Sequence, residues 1–438
     1  MRNRYLDLLR ALATVRVVVY HVTGWATLTL VFPAMSVMFA LAGSLMAASL
    51  DRSGSAAVGR RLRRLLPSVW VLAAIFVPAM LLTGLALTPE VLLWAFPVAD
   101  PPANYWGALA LSPIWYLRDY LWFVFASPVA LWLFRRAPWP TLLAPYALLG
   151  AIQAGMLPNA PTVLREFGLY FGAWLLGFAH HDGLLRRMAT RVLVPVALVV
   201  GAAGAAWIVT HPGPRGYDLN DMPLGNALWS AAFILLALGR APATAAWVDR
   251  AAPLGRAVTV LNRRALTVYL WHMPFVVALT PLVDVVGWSH QDPVGLAIRV
   301  ALVFALVGVA TALVGWVEDV AARRRPELLP GGRRRTAANA PVSPAPAGGP
   351  ATRHAPAGGP ATRHAPAGGP ATRSAPSGGS ATRHAPTGGP VARPVPTSAD
   401  AVPASGRAGA APDPAPVGAA PVPAPRVPEE HTLRLSVR

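Results

Sequence analysis

The feature that most limits this chain is a series of apolar stretches, each long enough to cross a bilayer. A membrane helix needs ~20 mostly apolar residues to span ~30 Å of hydrocarbon. Ten stretches qualify, at 6–28, 31–50, 68–88, 113–134, 139–158, 164–180, 191–210, 223–239, 265–284 and 294–318. They predict an all-α, polytopic membrane protein with about ten transmembrane helices, because only helices or closed barrels satisfy their own backbone in lipid. Composition agrees. Of 438 residues, 54% are hydrophobic and 13% charged, against roughly a quarter charged in soluble domains. The absence of cysteine excludes disulfide frameworks and thiolate metal sites.

The net charge of +19 suggests nucleic-acid binding until the arginines, the only basic residues besides histidine, are placed. Before Arg323 there are 23 arginines against 14 acids, and from Arg323 onward 15 against 5. About half of the excess therefore lies in a Pro-, Ala-, Gly- and Arg-rich stretch that has no apolar face to bury. This divides the chain into a transmembrane domain, 1–322, and a tail expected to be disordered, 323–438. From Ala345 the tail repeats APAGGPATRH with drift, a low-complexity period too short for a solenoid. His354, His364 and His384 recur with it, but ten-residue spacing on a flexible chain preorganises no metal site. Without interleaved aromatics to stack on bases, no nucleic-acid partner is expected. The natural partner is the anionic surface of the bilayer.

The remaining arginines read as topology. Arg2 and Arg4 precede the first stretch, and the other clusters follow even-numbered ones: Arg52 and Arg60 to Arg64, Arg135 and Arg136, Arg186 to Arg191, Arg240 to Arg264, and Arg323 to Arg325. Loops after odd-numbered stretches are nearly free of them and carry Glu90, Asp100, Asp218, Asp221 and Asp292 instead. Ten spans with both termini cytoplasmic follow from the positive-inside rule. Gly168, Gly172 and Gly177 in the sixth stretch are small residues of the kind that let helices approach closely.

Ionisable residues inside spans are costly and point to function. In YLDLLRALATVRVVVYH, Arg10 and His21 are eleven residues apart, hence ~20° apart around a helix and ~16 Å along it. Asp7 can pair with Arg10. A neutral imidazole at His21 can accept a proton from a hydroxyl, although a histidine bonded to a neighbouring helix for packing fits the same position. Arg16 lies off that stripe and needs a partner, such as a carboxylate on another helix. Downstream, Arg60, Arg61, Arg63 and Arg64 precede Pro67, and guanidinium forks match phosphate bidentately. Topology alone would also account for that run. The fourth stretch carries Arg118 and Asp119, and the ninth Tyr269 and His272, as further polar intramembrane candidates.

These pieces, in this order, resemble the acyltransferase 3 family of integral membrane acyltransferases over roughly residues 4–320. Arg10 to His21 matches its R-x10-H motif, and Arg60, Arg61, Arg64 and Pro67 match an RRxxRxxP motif. FPAMSVMFALAGSLMA looks like the family's second span, with Ala42 where serine is frequent, and VYLWHMP like its late Y-L-x-H-x-P segment. The resemblance implies transfer of an acyl group, commonly acetyl, from cytoplasmic acyl-CoA to a hydroxyl of a carbohydrate or other envelope or secondary-metabolite acceptor. It implies no permanently bound cofactor and no metal, with acyl-CoA as donor substrate. Arg60, Arg61 and Arg64 would hold the donor, His21 would act as general base, and Arg10 would orient donor phosphate or carbonyl. The setting would be a bacterial cell membrane. The competing reading is a polytopic secondary transporter of a small anionic or sugar substrate, since such proteins also carry polar intramembrane residues. That reading favours two halves with matching broken helices, and no such duplication is visible.

Overall fold

A computed structural model describes residues 3–242, 245–286 and 292–328, all within one unit, Met1–Val342. The repeats and His354, His364 and His384 lie outside the described residues. Within them the fold is all-α, with no strand and a single isolated bridge between Gly213 and Gly216.

Twelve helices build the bundle: α1 (Arg4–Thr23), α2 (Ala34–Ser53), α3 (Ala56–Leu82), α4 (Ile114–Arg136), α5 (Pro138–Gln153), α6, α7 (Thr190–Thr210), α8 (Pro223–Gly239), α9 (Ala252–Arg263), α10 (Ala265–Val286), α11 (Pro293–Val314) and α12 (Trp316–Ala321). The sixth is composite, Thr162–Glu166, one π-helical turn Phe167–Phe171, then Gly172–His181. Every apolar stretch of the sequence coincides with one of these. Six segments are long and apolar enough to cross a bilayer: Thr27–Ser53, Ala56–Leu82, Ile114–Arg136, Thr190–Thr210, Ala265–Leu282 and Pro293–Val314. The other four differ for visible reasons. α1 carries Arg4, Asp7, Arg10 and Arg16 in 20 residues, α5 and α8 have only 16 and 17 residues, and α6 is interrupted by its π turn.

Local chemistry sets the helix ends. The Asn3 side chain caps α1 by accepting from the backbone N–H of Tyr5 (3.0 Å) and Leu6 (3.4 Å), and Gly24, at φ 67°, closes it in the left-handed region where glycine is unstrained. Asp292 does the same for α11 through the Gly295 N–H at 2.7 Å. These caps satisfy amides that would otherwise be orphaned at a helix start.

The core is aromatic where α2, α4 and α6 meet. Phe39, Phe123 and Trp174 stack edge to face, with centroids 5.0 and 5.7 Å apart along that series. Trp174 donates its indole N–H to Ser127 Oγ at 3.0 Å. The glycines of α6 serve this packing. A Cβ on Gly177 would collide with the Ala40 carbonyl and stand 2.6 Å from the Ser44 nitrogen, one on Gly172 would enter the Tyr146 ring, and one on Gly168 would meet Leu149. Close backbone approach, rather than a ligand, explains them.

A second device is polar. Between α9 and α10, fully buried Arg264 donates Nη2 to Asp319 Oδ2 at 2.7 Å and to the Glu327 carbonyl. Arg263 bonds Asp319 Oδ1 at 3.0 Å and Glu327 Oε2 at 2.7 Å. Burial works against the Asp319 charge, but the hydrogen bonds from Arg264 and Arg263 outweigh it and hold its carboxyl below the usual range. Gly315 makes this possible, because a Cβ there would stand 2.8 Å from Arg264 Cδ. The latch folds residues 323–328 back against the bundle beside the site described next.

Candidate active site

Seven helices and the segment that follows α12 line a cavity of about 440 Å³. α1 supplies Asp7 and Arg10, α3 supplies Arg61 and Arg64, α4 supplies Tyr116 and Tyr120, and the α9–α10 corner supplies Asn262, Arg263 and Tyr269. Glu318 of α12 and Arg324 complete the polar wall, while Met38, Ala42, Leu45, Leu65 and Leu266 form an apolar floor. Helical spacing explains the convergence. Arg61 and Arg64 stand at i, i+3 on α3 and share a face, whereas Arg60 does not line the cavity and Arg63 faces a different groove. Arg10 is braced, since its Nη1 donates to Asn262 Oδ1 at 3.4 Å and Asn262 in turn donates Nδ2 to the Asp7 carbonyl at 2.7 Å. Arg61 also donates to Ser49 Oγ at 3.2 Å.

Tyr269 connects this cavity to a histidine pair. Its ring lies 5.1 Å from that of Tyr116 and 5.7 Å from that of His272, one helical turn on, and its hydroxyl donates to the Pro113 carbonyl at 3.1 Å. His272 is fully buried, and its ring centroid lies 5.1 Å from that of His21, in the last turn of α1. His272 Nδ1 sits 2.6 Å from the Tyr269 carbonyl, which accepts only from an N–H, so the hydrogen bond assigns the proton to Nδ1. That leaves Nε2 as a buried acceptor with no protein partner among the described residues. Arg10 and His21 therefore sit on one unbroken helix, one facing the arginine cavity and the other the second histidine.

Beyond His21 the wall is again polar. Tyr20 donates its hydroxyl to Asp218 Oδ2 at 2.5 Å and accepts from Arg215 at 3.1 Å and Asn220 at 3.0 Å. Arg16, for which a carboxylate partner was expected, instead donates Nε to the Leu28 carbonyl at 3.0 Å and lies over the Tyr20 ring at 5.0 Å. A carbonyl and an aromatic face together provide the compensation.

Arg118 and Asp119 are placed elsewhere. Arg118 donates to Asp119 Oδ1 at 3.0 Å, pairs with Asp100 at 2.5 Å and Glu166 at 3.7 Å, and stacks on Trp122. Neither lines the cavity. Their helical neighbours Tyr116 and Tyr120 do, being i, i+4 on the face opposite Arg118, a spacing visible in IWYLRDYLW. Asn262, Glu318 and Arg324 carry no local signal, because contacts with other segments bring them to the wall: Asn262 bonds Arg10 and the Asp7 carbonyl, Glu318 bonds Thr267, and Arg324 pairs with the latch carboxylate Asp319. One group of potential metal ligands lies together among the described residues, Asp51, His181 and Asp182. Arg135 already donates to both of its carboxylates at 2.8 to 3.0 Å.

The described residues thus form an all-helical protein in which an arginine-lined cavity adjoins two histidines, His272 fully buried and His21 partly exposed. The chain matches the acyltransferase 3 family, whose model describes an acyltransferase domain, over residues 3–317, and it belongs to that family. No curated protein and no solved structure matches it.

Proposed function

We propose that the chain transfers an acyl group, acetyl in the simplest case, from cytoplasmic acyl-CoA to a hydroxyl of a carbohydrate or other envelope or secondary-metabolite acceptor. The observation that carries this is the placement of Arg10, Arg61 and Arg64 on one cavity whose Tyr269 wall adjoins His272 and His21. On this reading all ten apolar helices span a bacterial cell membrane with both termini cytoplasmic, and the arginines of α3 face the donor pool.

The chemistry follows from the residues. Arg61 and Arg64, with Arg324 across the rim, bind the phosphates of the donor, and Arg10 orients its phosphate or thioester carbonyl. His272, held by its Nδ1–H on the Tyr269 carbonyl, fixes the His21 ring. His21 takes the proton of the acceptor hydroxyl as its oxygen bonds to the thioester carbon. The tetrahedral intermediate then collapses, the C–S bond breaks, and the CoA thiolate leaves with the proton returned by the His21 imidazolium. Water exclusion by the surrounding helices strengthens the cation–anion contacts and disfavours hydrolysis.

Donor binding provides a test. A hydrogen bond to a charged group contributes about 1.5–3 kcal/mol, so Arg61→Ala and Arg64→Ala should each raise KM for acetyl-CoA about tenfold to a hundredfold. Arg60→Ala, off the cavity, should change it much less. Initial-rate kinetics on purified protein decide this, and equal effects at all three positions would mean that general positive charge, not the cavity, binds the donor.

A further inference from the structure

A second groove, of about 560 Å³, lies between α3 and α12, outside the arginine–histidine site. Its volume falls in the range of small-molecule sites, about 300–1,000 Å³. Its walls are almost entirely apolar, built from Trp70 and Val71 on α3 and Trp316 and Val320 on α12, and three of these four are half exposed. Two cations interrupt that surface, Arg63 and Arg323. They belong to the same end, because the next residues along each strand of chain, Arg64 and Arg324, share the rim of the neighbouring cavity.

These arginines differ from those around them. Arg263, Arg264 and Arg324 all engage Asp319. Neither Arg63 nor Arg323 has a carboxylate within ion-pair distance among the described residues. Arg323 also holds φ 56°, the one non-glycine with positive φ among the described residues. Glycine usually fills that position after a helix, and an L-residue adopts it at a cost. Two cations at one end of an otherwise apolar, half-exposed slot are complementary to one amphiphile: an anion joined to a hydrocarbon chain.

We propose that this groove binds one anionic phospholipid from the leaflet on the side of the 60–64 arginines. Its phosphate lies between Arg63 and Arg323, each guanidinium offering a fork to phosphate oxygens. One acyl chain runs along Trp70 and Val71 toward Ala74, covered on the other side by Trp316 and Val320. The inference rests on the chain's residence in a bilayer and not on acyl transfer, so the two can fail separately.

Native mass spectrometry of the delipidated full chain in detergent, titrated with phosphatidylglycerol or phosphatidylcholine, tests it. The wild type should retain one phosphatidylglycerol about tenfold more tightly than phosphatidylcholine. Arg63→Ala/Arg323→Ala should reduce that retention to the phosphatidylcholine level, whereas Arg52→Ala/Arg187→Ala, which removes two exposed arginines elsewhere, should leave it unchanged. Ala74→Trp keeps both cations but fills the chain slot, and should also lose the lipid. Glycerol phosphate at millimolar concentration should not displace it. Equal retention of the two lipids by wild type, wild-type retention by either groove variant, or displacement by glycerol phosphate alone would each overturn the proposal.

Discussion

Replacing His21 with alanine should slow acyl transfer by about 10²–10⁴-fold, the usual contribution of a positioned general base. KM for the donor should hardly move, because the residues proposed to bind it, Arg10, Arg61 and Arg64, line a cavity that His21 does not. The reason to place the base at His21 rather than His272 is geometric. His272 is fully buried with Nδ1 committed to the Tyr269 carbonyl, so it is a support for its neighbour. His21 stands in the last turn of α1, partly exposed and with its ring 5.2 Å from that of Tyr20, so it is the histidine of the two that an acceptor hydroxyl could reach. A His272→Ala variant should therefore lose less activity than His21→Ala. Single-turnover rates with bound donor separate the two, and an unchanged rate in His21→Ala would remove it from the chemistry.

The largest structural effect should come from Asp319→Ala. Asp319 is fully buried and receives Arg264, Arg263 and Arg324, as well as the Glu327 N–H at 3.3 Å. Deleting one partner of a buried pair leaves the other charge uncompensated, which costs about 3–5 kcal/mol. The stranded group here is Arg264, whose Nε and Nη1 already lack hydrogen-bond partners among the described residues. A paired Arg264→Leu/Asp319→Leu change should recover part of the loss, since apolar replacements carry no unpaired charge. Because the same latch presents Glu318 and Arg324 to the cavity, Asp319→Ala should also weaken donor binding. Thermal unfolding in detergent reads the first effect and donor KM the second. Wild-type stability in the single variant would show that the latch is dispensable.

Much of this was legible in the sequence, and the misses have physical causes. Apolar runs of helical length locate the long helices, because lipid allows little else. The Arg10–His21 spacing survives as a true geometric relation, since α1 is unbroken between them. The arginine run of α3 was legible as one cluster, but its division between two surfaces was not. Helical periodicity divides it between two surfaces, Arg61 and Arg64 facing the cavity and Arg63 the second groove. In the fourth stretch, charge drew attention to Arg118 and Asp119, yet they satisfy one another and Asp100. The uncharged Tyr116 and Tyr120 face the cavity instead. Arg324 could not be found locally, because its ion-pair partner, Asp319, is itself anchored by Arg263 and Arg264, more than 50 residues earlier in the chain. Chemistry carried by one helix was readable, while chemistry assembled from several was not.

The central claim, that this chain moves an acyl group from a CoA donor bound at the α3 arginines, is tested most directly by sided transfer. The purified full chain is reconstituted in vesicles and given acetyl-CoA with a labelled acetyl carbon on one face, together with a panel of sugars. The account predicts labelled acceptor and an equal amount of free CoA when the donor is supplied on the face bearing Arg61 and Arg64, and neither from the opposite face. Absence of CoA release with every acceptor, in vesicles that instead accumulate a solute against an ion gradient, would contradict it.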